Sequence, residues 1–191
     1  MVIRREKAIS FYRQQLEDWL GNLDVKAYRV LDIGGAALPV KDRVKSWKVS
    51  EYDIGDNGLE DGKYDVEVDI QKKSYLNTET YNVVFCLEVM EYIYNPVLAV
   101  RNIYRFLEDD GIAYITFPFV YPVHHPVDED CLRYTEAGIV KLLEDAGFKK
   151  WTIQYRRALT RTLEQYYKED GMHPAKGMTH NVTGYIVTAH K

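Results

Sequence analysis

The sequence predicts an α/β fold, a mostly parallel sheet with helices on both faces, closed as a single domain over residues 1–191. Three observations lead there. Strand-length apolar runs alternate regularly with stretches of helical periodicity. One of those runs, Tyr81 to Leu87, has the unbroken apolar character of a central parallel strand. The first strand ends in Gly34-Gly35, where a glycine turn lets backbone approach a ligand closely. With 191 residues, 46% of them apolar, the chain can close one substantial core but not two.

Taken in order, residues 4–20 place Ile9, Tyr12, Leu16 and Trp19 at spacings of three and four, which predicts an amphipathic N-terminal helix ending at Gly21-Asn22. Tyr28 to Ile33 reads as a buried strand, and Pro39 as the first turn of a short helix. Strands follow at Trp47 to Tyr52 and Asp65 to Val68. Pro96 opens a helix through Leu107 that Gly111 closes, and Ile112 to Phe117 is the next strand. Thr135 caps a helix whose Ile139, Leu142, Leu143 and Ala146 face the core before Gly147 ends it. Lys150 to Tyr155 and Tyr185 to Ala189 are strands, separated by a variable insertion over 156–183 with a helix near Leu159 to Tyr167.

Composition excludes several function classes. The formal charge is −4 and the 25 Lys and Arg residues are scattered, so no nucleic-acid partner is expected. Nothing approaches the roughly 20 apolar residues of a membrane span, and the charged N-terminus lacks the apolar core of a secretory signal. The expectation is a cytoplasmic monomer or homodimer acting on a small molecule. Two cysteines, Cys86 and Cys131, are too few for a disulfide framework. His124, His125, Asp128 and Asp130 have metal-binding side chains, but no spacing that enforces a coordination geometry. No metal is expected.

The chemistry concentrates at strand ends. About 20 residues beyond Gly34, Asp53 closes the second strand, where a carboxylate can accept both hydrogen bonds of a ribose diol. Asp69, after the third, is placed to accept from an adenine amino group with Ile70 against the ring. Together they suggest an adenosine.

Five ordered blocks over residues 28–150 then resemble the class I S-adenosylmethionine-dependent methyltransferases, particularly the small subgroup that methylates metabolites or sugars. They are Val30-Leu-Asp-Ile-Gly34, Tyr52-Asp-Ile54, Val68-Asp-Ile70, Tyr81 through Pro96, and Asp110-Gly-Ile-Ala-Tyr-Ile-Thr-Phe-Pro118. The resemblance implies a Rossmann-like three-layer sandwich whose seven-stranded, mostly parallel sheet has a reversed last strand. It also implies S-adenosyl-L-methionine as cofactor. Asp32, Gly34 and Gly35 would shape the methionine pocket, Asp53 with Ile54 and Asp69 with Ile70 would hold ribose and adenine, and Leu87 and Glu88 would line the cofactor. The chain departs from the pattern where a G-x-G-x-G run becomes Gly34, Ala36 and Leu38, and where Tyr92 replaces a common His.

The segment from Phe117 to Asp128, continued by Arg133-Tyr-Thr135, is similar to the loop that walls the acceptor pocket in the sugar- and metabolite-directed members. His124 and His125 are candidate bases there, with Asp128 to orient one of them. Tyr92, Tyr121, Arg133 and Tyr134 are candidate acceptor contacts, Arg133 for a carboxylate or phosphate. The function expected is methyl transfer to oxygen or nitrogen of a small, sugar-like acceptor, with the N-terminal helix covering the cofactor or the acceptor mouth. Two rivals are a binding or scaffold protein that has lost turnover, which Ala36 and Leu38 invite, and a nucleotide-dependent oxidoreductase, which the Leu87-Glu88 block opposes.

Overall fold

The computed structural model describes residues 10–58, 63–73, 78–158, 169, 171 and 181–191. Its elements are α1 (Phe11–Leu20), β1 (Asp24–Ile33), β2 (Ser46–Asp56), β3 (Val66–Glu67), β4 (Tyr81–Cys86), a 3-10 turn (Met90–Tyr92), α2 (Pro96–Phe106), β5 (Leu107–Pro118), α3 (Glu136–Ala146), β6 (Lys150–Arg157) and β7 (Val182–His190). They form one seven-stranded sheet in the order β3-β2-β1-β4-β5-β7-β6. β1 to β5 pair in parallel, while β7 runs antiparallel to both its neighbours, the reversed last strand that the resemblance implied.

Because strand side chains alternate between faces, each central strand feeds two cores. Leu31, Val84, Cys86, Ile115 and Val187 pack with Ile103 and Phe106 of α2 and with Ile139 and Leu143 of α3. Their immediate neighbours Val30, Val83, Phe85, Tyr114 and Ile186 pack on the other face with Leu16 and Leu20 of α1 and with Val40. Helix ends obey local chemistry. Asn95 accepts from the Leu98 N–H at 3.3 Å with Pro96 behind it, and Thr135 Oγ1 accepts from the Gly138 N–H at 3.2 Å. Gly147, at φ 107°, returns its N–H to the carbonyls of Leu143 and Glu144.

Two expected elements differ. Pro39 does not open a helix: residues 34–45 form turns and bends around it. The buried Asp32 carboxylate takes the Val40 N–H at 2.8 Å, and Arg43 donates to the Leu38 carbonyl at 3.2 Å, so side chains spend the backbone groups a helix would pair. Gly111 does not close α2 either. The helix ends at Phe106, and Gly111 lies inside β5, packed so tightly against Leu107 and the Glu108 carbonyl that a Cβ would not fit. The N-terminal helix is described from Phe11. Residues 1–9 and most of the 156–183 insertion, including the helix expected at Leu159 to Tyr167, lie outside the described residues; Arg156 and Arg157 still belong to β6. Among the described residues no helix is long and apolar enough to cross a membrane.

The chain leaves β1 toward one sheet edge and β4 toward the other, so the carboxyl ends of these two neighbours form the crevice where ligands bind in such sheets. Replacing fully buried Ile103 with Ala is expected to cost about 2–5 kcal/mol of stability, and Thr135→Ala about 1 kcal/mol. Urea unfolding checks both; equal losses would count against this division between core and cap.

Candidate functional site

At the end of β1, the Gly34 N–H donates to the Gly55 carbonyl at 2.8 Å and the chain turns at φ 76°. A Cβ there would collide with Val89 Cγ2, so glycine alone lets this loop close against the segment after β4. Asp32 supports the turn from beneath. It is 3% exposed, and it accepts the Tyr52 hydroxyl at 2.6 Å as well as the Val40 N–H. Burial raises its pKa, and those two donors act against the rise. Gly35 sits where a Cβ would strike the Asp32 carboxylate. Asp32 and Gly35 therefore shape the loop without lining the space above it.

That space is a cavity of about 830 Å³, within the size range of small-molecule sites. Gly34, Asp56, Asp69, Ile70 and Glu88 line its floor, and Tyr92, His125 and Asp128 its far side. Asp53 is absent from the lining, which corrects its expected place. β2 runs on to Asp56, and Asp53 pairs with Leu31, below the rim. Its carboxylate is taken by Arg29, at 2.7 Å, and by the Tyr81 hydroxyl, at 2.9 Å. Ile54, level with Asp32, is likewise below the cavity, and Leu87 packs into the core on the α1 face. The carboxylate at the tip of β2 is Asp56. Strand registry could have found it, because a strand ending at Tyr52 stops short of the level of Gly34.

Asp69 accepts the Gln71 N–H at 3.0 Å and pairs with Lys72 at 2.9 Å. Asn102 of α2, wholly buried, donates to the carbonyls of Ile70 (2.9 Å) and Lys72 (2.8 Å). This amide fixes the turn that presents Asp69 and Ile70. It was missed in the sequence because it falls on the apolar stripe of a helix.

Glu88 follows β4 at φ 58°, a left-handed conformation held by two bonds with Thr116: its N–H donates to Oγ1 at 2.7 Å, and that hydroxyl donates to its carboxylate at 3.0 Å. Arg156 of β6, 1% exposed, donates to the same carboxylate and to the Tyr12 carbonyl at 2.8 Å, with its guanidinium 3.2 Å over the Tyr12 ring. α1 is thus fastened to the rim beside the cavity. Glu91, three residues on, is 7% exposed; burial, and then the charge of Glu88, push its pKa up to about 7. Its carbonyl accepts the N–H groups of Cys131 and Leu132 at 2.9 and 3.1 Å, tying down the loop above.

That loop separates its candidates. Arg133 spends all five N–H groups internally, on Asp130 through both carboxylate oxygens and on the carbonyls of Tyr121, Pro122 and Leu132. It clasps the loop and has no donor left for an acceptor anion, contrary to expectation. Tyr134 is buried, with its hydroxyl on the Met90 carbonyl at 2.8 Å and its ring against Phe117, so it too is removed from the acceptor pocket. Tyr121 faces Tyr12 at 4.4 Å between ring centres rather than the cavity. His125 and Asp128 reach the cavity; His124 turns instead to the Tyr92 hydroxyl. Among the described residues no three His, Cys, Asp or Glu side chains are grouped to hold a metal ion.

Residues 4–153 match the family model of a methyltransferase domain. No curated protein matches the sequence. The fold is similar to an S-adenosylmethionine-dependent methyltransferase of Archaeoglobus fulgidus (14% identity, TM-score 0.60, 95% of this chain and 92% of that one) and to another of Mesorhizobium loti (11%, 0.58, 94% and 98%). It is also similar to the [4+2]-cyclase SpnF (18%, 0.60, 98% and 85%).

The raised Glu91 pKa has a consequence for stability. A carboxyl that holds its proton more tightly when folded contributes fully below its unfolded pKa, and that contribution is lost as pH rises toward the folded value of about 7. Glu91→Gln is therefore expected to stabilise the protein by about 1–3 kcal/mol near pH 8 and to change little near pH 4.5. Urea titrations at the two pH values check this; a gain that does not depend on pH would contradict it.

Proposed function

We propose that this chain, which belongs to the class I S-adenosylmethionine-dependent methyltransferases, transfers a methyl group to oxygen or nitrogen of a small, neutral, sugar-like acceptor. The observation that carries the reading is one cavity that runs from the Gly34 turn, past Asp56 and Asp69 on adjacent strand ends, to His125 and Asp128 in the overlying loop.

The residues fit the cofactor. Gly34 leaves a cradle that a Cβ would fill, Asp56 offers two carboxylate oxygens to a ribose diol, and Asp69 beside apolar Ile70 suits an adenine amino group and ring. Glu88, with its carboxylate fixed by Thr116 and Arg156, completes the methionine side. When bound, S-adenosylmethionine supplies a sulfonium-activated methyl group open to in-line displacement. Such a displacement needs alignment above all, and the fixed strand ends and the clasped loop provide it.

The acceptor class follows from charge. Asp56, Asp69, Glu88, Asp128 and Glu129 line the cavity, and among the described residues no Lys or Arg does. With Arg133 consumed by its own loop, a phosphate or carboxylate would meet repulsion without a compensating donor. Hydroxyl groups, by contrast, can donate to Asp128 and Glu129. A fold shared with a cyclase makes transfer itself the thing to measure.

Calorimetric titration with S-adenosylmethionine, followed by mass spectrometry of labelled products from a metabolite library, tests the proposal. Binding and a methylated neutral product are expected; no binding at millimolar cofactor would overturn it. Within that assay, Asp56→Asn should weaken cofactor binding about tenfold or more, whereas Asp53→Asn should leave affinity within about twofold. The reverse ranking would return the ribose role to Asp53.

A further inference from the structure

Tyr92 ends the 3-10 turn after β4, and its side chain lines the cavity. Its hydroxyl has two partners, both in the overlying loop: His124 Nδ1 at 2.5 Å and the His125 carbonyl oxygen at 3.0 Å. The His124 side chain is exposed, so its other ring nitrogen can exchange with water. Its backbone is pinned, since the His124 N–H donates to Asp130 Oδ2 at 2.6 Å and Asp130 is gripped by Arg133. The pair therefore spans the wall of the site, with one member toward the cavity and the other toward solvent.

We propose that Tyr92 and His124 form a proton relay that carries the acceptor's proton out of the cavity, Tyr92 receiving it and His124 passing it to water. The proposal rests on the methyl-transfer reading above and assigns its proton handling. Before transfer, the Tyr92 O–H donates to neutral His124 at Nδ1. As the acceptor oxygen forms its bond to the methyl carbon, the donor's carbon–sulfur bond breaks and its electron pair stays on sulfur. The acceptor's O–H proton passes to Tyr92 Oη while the original Tyr92 proton moves to Nδ1. The imidazolium then releases its Nε2 proton to solvent and is left as the Nδ1–H tautomer.

The two partners of the hydroxyl serve these two states. In the second, Nδ1–H donates to Tyr92 Oη, and the newly acquired Tyr92 proton points to the His125 carbonyl. No tyrosinate is needed. Burial, then Glu91, Asp130, Tyr121 and Glu88, push the Tyr92 pKa up to about 12, so it stays protonated and acts as a carrier. Among the described residues the charged or titratable neighbours of His124 are Tyr92, Tyr121, Asp130 and, through that carboxylate, Arg133. The carboxylate and the two hydroxyls are compatible with a transient imidazolium.

Two measurements test the relay. The first needs no acceptor: nitrogen-15 NMR of the His124 ring in the whole protein, compared with Tyr92→Phe. An Nδ1 that is unprotonated and hydrogen-bonded is expected, with a tautomer ratio that shifts when the hydroxyl is removed. Ring signals indifferent to Tyr92→Phe would overturn the pair. The second uses the acceptor found in the library. Tyr92→Phe and His124→Ala should each lower kcat about 100-fold at nearly constant KM, and the double variant should be no worse than the poorer single one. Added imidazole should restore His124→Ala but not the double variant. Full turnover in Tyr92→Phe would remove the relay alone; a library with no methylated product would remove the functional reading and the relay with it.

Discussion

Arg156 is the interaction on which the rest of the molecule depends. A guanidinium that is 1% exposed must keep its charge compensated and its donors occupied, and here one edge-strand residue meets both needs with two partners distant from it in the chain. The Glu88 carboxylate neutralises it, the Tyr12 carbonyl accepts from it, and the Tyr12 ring lies beneath it. Removing any partner leaves a buried charge short of solvation. The N-terminal helix, the last strand pair and the turn beside the cavity are consequently held in one arrangement. The left-handed backbone of Glu88 is tolerable for the same reason, since both its N–H and its carboxylate are held in place.

The cavity floor follows the same economy of parts. Asn102 reaches from the α2 core to fix the Ile70 and Lys72 carbonyls, and Gly34 yields space to Val89. Neither residue does chemistry. Each sets the position of a neighbour to within a hydrogen-bond length, and a displacement reaction that runs on alignment requires that. The loop above is treated alike: Arg133 gives every donor to holding it, and Glu91 gives its carbonyl.

Much of the fold was legible in the sequence because it depends on periodicity. Strand-length apolar runs, Thr135 before α3, Gly147 after it and Pro96 at the start of α2 each act through local geometry, and each element lies where its residues put it. What could not be read depends on contacts between distant residues. Pro39 looks like a helix opener only until Asp32 and Arg43 claim the surrounding backbone. Asp53 has the right distance from Gly34 along the chain but the wrong height in the sheet, which only strand registry reveals. Arg133 and Tyr134 sit in a loop motif that suggested recognition, yet their polar atoms are satisfied within the protein. Arg156 gave no signal in an otherwise ordinary edge strand.

The helix-free connection between β1 and β2 leaves α1 as the only described helix on its face of the sheet. Were α1 to lift, Val30, Phe85 and Tyr114 would meet water together, so releasing it would give up the core on that face. No residue of α1 is among those that line the cavity, and the helix serves the sheet as a keystone.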